Sequence, residues 1–166
     1  MEPLALKPLG ARNLETAVTM ARHYRDLNQP EEAESICRDV LAVAPDHEGA
    51  LRTLGLALTD RFATRGATFE EAAEVFAKLS SEYDRVYFTG VAWERYGKSE
   101  LGFSPHNALH AYEQALSAYA RAEQLGPKDH PEPILRYNCC VRTIQTRPEL
   151  RAELRRREQP VFEMGD

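Results

Sequence analysis

Apolar residues recur along this chain at steps of three and four, and the stripes break at proline, glycine or asparagine, the pattern of short amphipathic helices. Leu14, Ala17, Met20, Ala21, Tyr24 and Leu27 share one face of a helix predicted over residues 14–27, and Asn28 and Gln29 form the turn after it. Pro30 stands where a helix tolerates proline, in its first turn, and Glu31 and Glu32 follow near the positive end of the dipole. That second helix runs through Ala33, Ile36, Cys37, Val40 and Leu41 to a stop at Pro45. A third is expected over residues 48–62. Residues 1–12, with two prolines and a glycine, read as a loosely ordered lead-in.

Beyond Phe62 the spacing becomes irregular, and residues 61–67 read as an insertion. Thr68 and Glu71 have capping-box spacing, and they open a helix whose face is Phe69, Ala72, Ala73, Phe76 and Leu79. The next helix is predicted over residues 86–96, followed by a second insertion at 97–104 that holds two glycines. Ser104 and Pro105 then supply a cap and a first-turn proline for a long helix that ends at Gly126-Pro127, with Ala108, Tyr112, Ala115, Tyr119 and Ala122 as its stripe. Pro131 and Pro133 open another through Ile134, Tyr137, Val141 and Ile144. Thr146, Pro148 and Glu149 start a charged last helix that reaches about residue 158.

One phrase occurs twice, 34 positions apart: Leu54-Gly55-x-x-Leu58 repeats Met20-Ala21-x-x-Tyr24, and Leu51 repeats Ala17. Between the copies lies Ala33-x-x-x-Cys37-x-x-Val40, closed by Pro45. Gly90-x-x-Trp93-x-x-Tyr96-Gly97 and Ala115-x-x-x-Tyr119-x-x-Ala122 with Pro127 continue the theme. In this pattern the chain resembles tetratricopeptide-repeat proteins over residues 14–145. The resemblance implies an all-α, right-handed superhelical stack of antiparallel helix pairs, about three repeats, with residues 146–166 as a capping helix and tail. Ala21, Gly55 and Ala33 are then the small residues that let helices cross closely.

In that family ligands lie against the first helix of each pair. By repeat position this surface takes Val18, Thr19, Arg22, Arg25 and Asp26, then Arg52, Thr53, Leu56, Thr59 and Asp60, then Tyr87, Phe88, Val91, Glu94 and Arg95, and last Asn138, Val141 and Arg142. The expected groove is cationic at Arg22, Arg25 and Arg52 and aromatic at Tyr87 and Phe88, which suits an extended or helical peptide with an acidic end. The Lys–Asn arrangement that one subgroup uses to grip terminal carboxylates is absent, since Val18 and Arg22 occupy the corresponding places.

Composition narrows the picture. At 43% hydrophobic and 28% charged, 166 residues suffice for a real core. A net charge of −5 gives nucleic acid little support. The cysteines Cys37, Cys139 and Cys140 make no spaced disulfide framework, and the N-terminus lacks a basic start followed by an apolar run. A cytoplasmic, reduced protein without membrane spans is the expectation. His106 and His110 have the spacing of two metal ligands on one helical face, but no third ligand is evident and surface histidines explain them better. Cys139 and Cys140 read as buried small hydrophobes. No phosphate loop or nucleophile elbow occurs.

The sequence therefore points to a scaffold or adaptor that binds a protein or peptide, with no enzymatic chemistry, metal or cofactor, as a monomer or weak homodimer. A small three-repeat chaperone of secretion-system type is the nearest rival, separable by oligomeric state. A helical metalloprotein or enzyme built on His106 and His110 is the rival of another class, separable by metal content.

Overall fold

The computed structural model describes residues 3–159, and among these all regular structure is helical. After a 3-10 turn at Ala11–Asn13 come α1 (Leu14–Asp26), α2 (Pro30–Val43), α3 (Glu48–Asp60), α4 (Phe69–Phe76), α5 (Glu82–Glu100), α6 (Pro105–Leu125), α7 (Glu132–Thr146) and α8 (Pro148–Glu158). The helix starts follow local chemistry. Proline stands in the first turn of α2, α6, α7 and α8, where its missing N–H costs nothing. Thr68 and Glu71 form a reciprocal capping box on α4, and the Ser104 hydroxyl accepts the Asn107 amide on α6. Between α1 and α2, Asn28 takes φ 58°, a left-handed conformation that asparagine tolerates, while the Gln29 amide donates to the Tyr24 carbonyl at 2.9 Å.

Three boundaries differ from those read in the sequence. α5 begins at Glu82, with Glu82 and Asp84 in its first turn, and continues to Glu100. Gly97 therefore lies inside a helix rather than in an inserted loop, and a Cβ there would stand 3.1 Å from the Tyr112 ring. Only residues 101–104 connect α5 to α6. Thr146 ends α7, where its hydroxyl donates to the Arg142 carbonyl at 2.7 Å, so it does not cap α8. α4 stops at Phe76, and Leu79 is buried from the turn that follows.

The chain divides into two compact units, residues 1–85 and 86–166, with the boundary inside α5. In the first unit α2 packs on both α1 and α3, α4 packs on α3, and α1 lies against α3. Arg25 near the end of α1 pairs with Asp60 at the end of α3, and Glu15 near the start of α1 meets His47 before α3, so these two helices run parallel. Ala21, Ala33, Cys37, Val40, Ala57 and Phe76 are fully enclosed. Burying a side chain such as Phe76 contributes about 1.5–3 kcal/mol. Gly55 makes the α3–α4 crossing possible, because Phe76 occupies the space where its Cβ would be. The segment 61–67 is folded into this unit: Phe62 and Ala67 are buried, and Arg61 bonds to Glu34 of α2. Leu9 of the lead-in packs near Ala17, Val18, Val40 and Ala50, whereas Leu4 and Leu6 are exposed. Met20 and Leu27, expected on the apolar stripe of α1, are half-exposed.

In the second unit α6 is the central rod. α5 crosses it where Gly90 meets Tyr119 and Gly97 meets Tyr112, and α7 and α8 also pack on it. Ala108, Leu109, Ala115, Tyr119, Cys140 and Leu150 form the core. No described helix is long and apolar enough to cross a membrane.

Candidate functional site

The residues expected to line a groove fall in both units. In the first, the structure sorts them by what already holds them. Arg25 is engaged: its guanidinium donates to both Asp60 oxygens at 2.7 and 3.2 Å, with each side chain about one-fifth exposed. A bidentate pair of this kind fixes two helices together, so Arg25 and Asp60 are cross-ties between α1 and α3. Val18, Thr53 and Thr59 are buried, and the two hydroxyls donate to the carbonyls of Gly49 and Leu56. These three are core positions and not contact surface. Arg22 is exposed and enters no ion pair among the described residues. Its guanidinium lies beside Gly49, where an added Cβ would stand 3.1 Å from Nη2 and 3.3 Å from Val18. Arg52 sits on the facing helix, loosely held by Asp84 at 3.6 Å, and Leu56 follows it half-buried. Thr19 and Asp26 are exposed.

His47, unassigned in the sequence, organises one end of this face. Its Nδ1 accepts the Ala50 amide at 3.2 Å as the cap of α3, so the other nitrogen carries the proton and donates to Glu15 at 2.8 Å. Histidine is an uncommon cap, which is why the local pattern did not reveal it.

In the second unit the expected aromatic end is mostly interior. Tyr87 and Val91 are buried, so neither lines a surface. Tyr87 donates to Glu132 at 2.7 Å and packs edge-on against Phe88, which is half-buried, as is Arg95. Glu94 is the hub of a polar cluster. It accepts the Tyr119 hydroxyl at 2.6 Å and Arg136 at 3.3 Å. Burial, with Glu94 alongside, pushes the Tyr119 hydroxyl and the Cys140 thiol well above their ordinary ranges, so both keep their protons. Arg136 stays charged beside Glu94 in spite of burial. The cluster ties α5, α6 and α7 together. Asn138 and Arg142 are exposed on α7.

His106 and His110 are drawn to different partners. The ring of His110 meets Trp93 of α5 edge-on at 5.9 Å. Nδ1 of His106 donates to Glu153 of α8 at 2.9 Å, a carboxylate being able only to accept. Among the described residues no group of three His, Cys, Asp or Glu side chains stands together as a metal would require. Glu153 is 6% exposed, and Arg156 reaches its other oxygen at 2.6 Å. Arg156 first, then His106, hold the Glu153 carboxyl down at about 2, against 4.5 unperturbed. The folded value lies below the unfolded one, so the contacts of Glu153, to Arg156 within α8 and to His106 across to α6, stabilise the fold fully above about pH 4.5 and are lost as pH falls toward 2. Glu153→Gln is therefore expected to flatten the acid limb of thermal melts across that window. A variant whose melting point falls as steeply as the wild type's there would refute this contribution of Glu153.

Cys37 is buried with its thiol pushed up to about 12, Cys140 is buried, and Cys139, expected inside, is exposed. The apolar positions of α7 are also placed differently. Ile144 is core, but Ile134 and Tyr137 are exposed at 42% and 37%, and neighbouring Leu135 at 62%. Compared with models of known protein families and with curated protein sequences, the chain matches none.

Proposed function

We propose that the chain is a protein-interaction scaffold of the tetratricopeptide-repeat kind, whose stacked first helices present a surface for an acidic peptide. The observation that carries this reading is the α1–α3 face. Two parallel helices are locked by Arg25 and Asp60, and over the small residue Gly49 they present Arg22, with Arg52 across from it. A rigid floor with cations above it favours a carboxylate-bearing ligand, because little ordering is needed on binding. Leu56 supplies an apolar contact beside the cations. The mechanism is surface complementarity, and no side chain here is placed for covalent chemistry.

The double charge reversal Arg22→Glu with Arg52→Glu is expected to leave the melting transition within about 1 kcal/mol of wild type, since Arg22 is exposed and the Arg52–Asp84 pair is long and partly solvated. It should abolish recovery of the acidic partner in an affinity capture followed by mass spectrometry. Equal recovery by both proteins would remove the α1–α3 face as the binding surface.

A further inference from the structure

We propose that His47 is a proton-operated cap: the neutral ring holds the first turn of α3, and a proton on the ring releases that turn. The hydrogen bonds define the neutral state. A backbone N–H can only donate, so Nδ1 must be bare to accept the Ala50 amide at 3.2 Å, and Nε2 carries the hydrogen that points at Glu15, 2.8 Å away. The caps of α4 and α6, Thr68 and Ser104, are hydroxyls and accept at any pH near neutral. Imidazole is the side chain that ordinarily changes charge between about pH 5 and 8. A second proton has only Nδ1 to enter, the atom that receives the amide. Two N–H groups cannot bond to each other, so the ring turns away and the Ala50 amide loses its acceptor.

The surroundings oppose a charged ring more than they favour it. The structure places Glu15 and Arg22 of α1 against His47, and Asp46 and Glu48 are its neighbours in the chain. Glu48 is drawn elsewhere, since its carboxylate accepts the Ser80 amide at 2.9 Å. No other hydrogen bond or ion pair reaches the His47 side chain among the described residues. Glu15 favours the charged ring, but it is 86% exposed and so a weak partner. Against the charge stands the positive end of the α3 dipole. Arg22 adds to this: its Nη2 and the His47 Cε1 stand 3.1 and 3.3 Å from one point, the place of a Cβ on Gly49. A proton therefore cannot be taken up with the site unchanged. It opens the turn that carries Gly49 and puts a further cation beside Arg22. The effect on a ligand rests on the α1–α3 reading above, whereas the cap itself does not.

The test reads the cap directly, so it can fail without the ligand surface failing, and the reverse. The full chain is followed by NMR from about pH 8 to pH 5, the window of histidine titration. The His47 imidazole signals should titrate there. Exchange protection of the Ala50 amide, corrected for the intrinsic rate at each pH, should fall in step by at least ~3-fold, near the lower end of what an N-cap contributes. His47→Asn supplies a cap that does not titrate and should keep Ala50 protected at both ends of the range. His47→Ala should leave it unprotected at both. The proposal is overturned if the wild-type ring titrates while Ala50 stays protected, or if the ring does not titrate in this window. It is also overturned if His47→Asn loses protection as the wild type does, the responding group then lying elsewhere.

Discussion

Gly55→Leu is expected to destabilise the first unit by at least about 1–3 kcal/mol, the range for forcing extra volume into a packed core. A Cβ at this position would lie 2.2 Å from one Phe76 ring carbon and 2.5 Å from another. Real contacts of this type do not fall below 3 Å. Phe76 is wholly enclosed and has nowhere to go, so relief requires α3 and α4 to part. That separation would loosen the seat of Leu58 and Leu79 as well as the collision site. For a unit of this size each 1 kcal/mol corresponds to roughly 4–8 °C in melting temperature, which a thermal scan reads easily. Gly102→Ala, at a glycine with open space around it, is the matched control and should melt like the wild type. An unshifted midpoint for Gly55→Leu would mean that α3 and α4 do not cross at this residue.

Glu94→Ala is the second substitution with a large expected effect. It removes the one acceptor shared by Tyr119 and Arg136. Tyr119 is fully enclosed, so its hydroxyl would be stranded away from water. Stranding one member of a buried pair costs about 3–5 kcal/mol, and the one-third exposure of Arg136 brings the expectation down to about 2–3 kcal/mol. Tyr119→Phe, which keeps the ring and removes only the donor, should cost about 1 kcal/mol. Chemical denaturation of the three proteins tests the ordering. If Glu94→Ala proved as stable as Tyr119→Phe, Arg136 would not depend on Glu94 and the cluster would reduce to a single hydrogen bond.

How much of this was legible in the chain depends on the range of the cause. Features set by neighbours three or four residues away were readable: the prolines opening α2, α6, α7 and α8, the Thr68–Glu71 box, and the small residues at 21, 33 and 55. Features set by partners far along the chain were not. Arg25 looks like any surface cation until Asp60 appears beside it, 35 residues on. Tyr87 looks like a groove aromatic until Glu132, 45 residues on, receives its hydroxyl. Gly97 illustrates an ambiguity of type. Glycine marks both loops and close crossings, and only the Tyr112 ring decides between them. Helical periodicity likewise identified an apolar stripe on α7 but not which part of it α6 and α8 cover, so Ile134 and Tyr137 were assigned inward.

The placement of the cysteines has a practical side. Thiolates, not thiols, react with alkylating reagents. Cys37 and Cys140 are enclosed and held protonated, while Cys139 faces solvent. Under gentle labelling the molecule thus behaves as though it had one sulfhydryl, and that one stands on α7 between Leu135 and Arg142. A fluorophore or spin label can be attached there without engineering the sequence, as a resident reporter of whatever comes to rest on that helix.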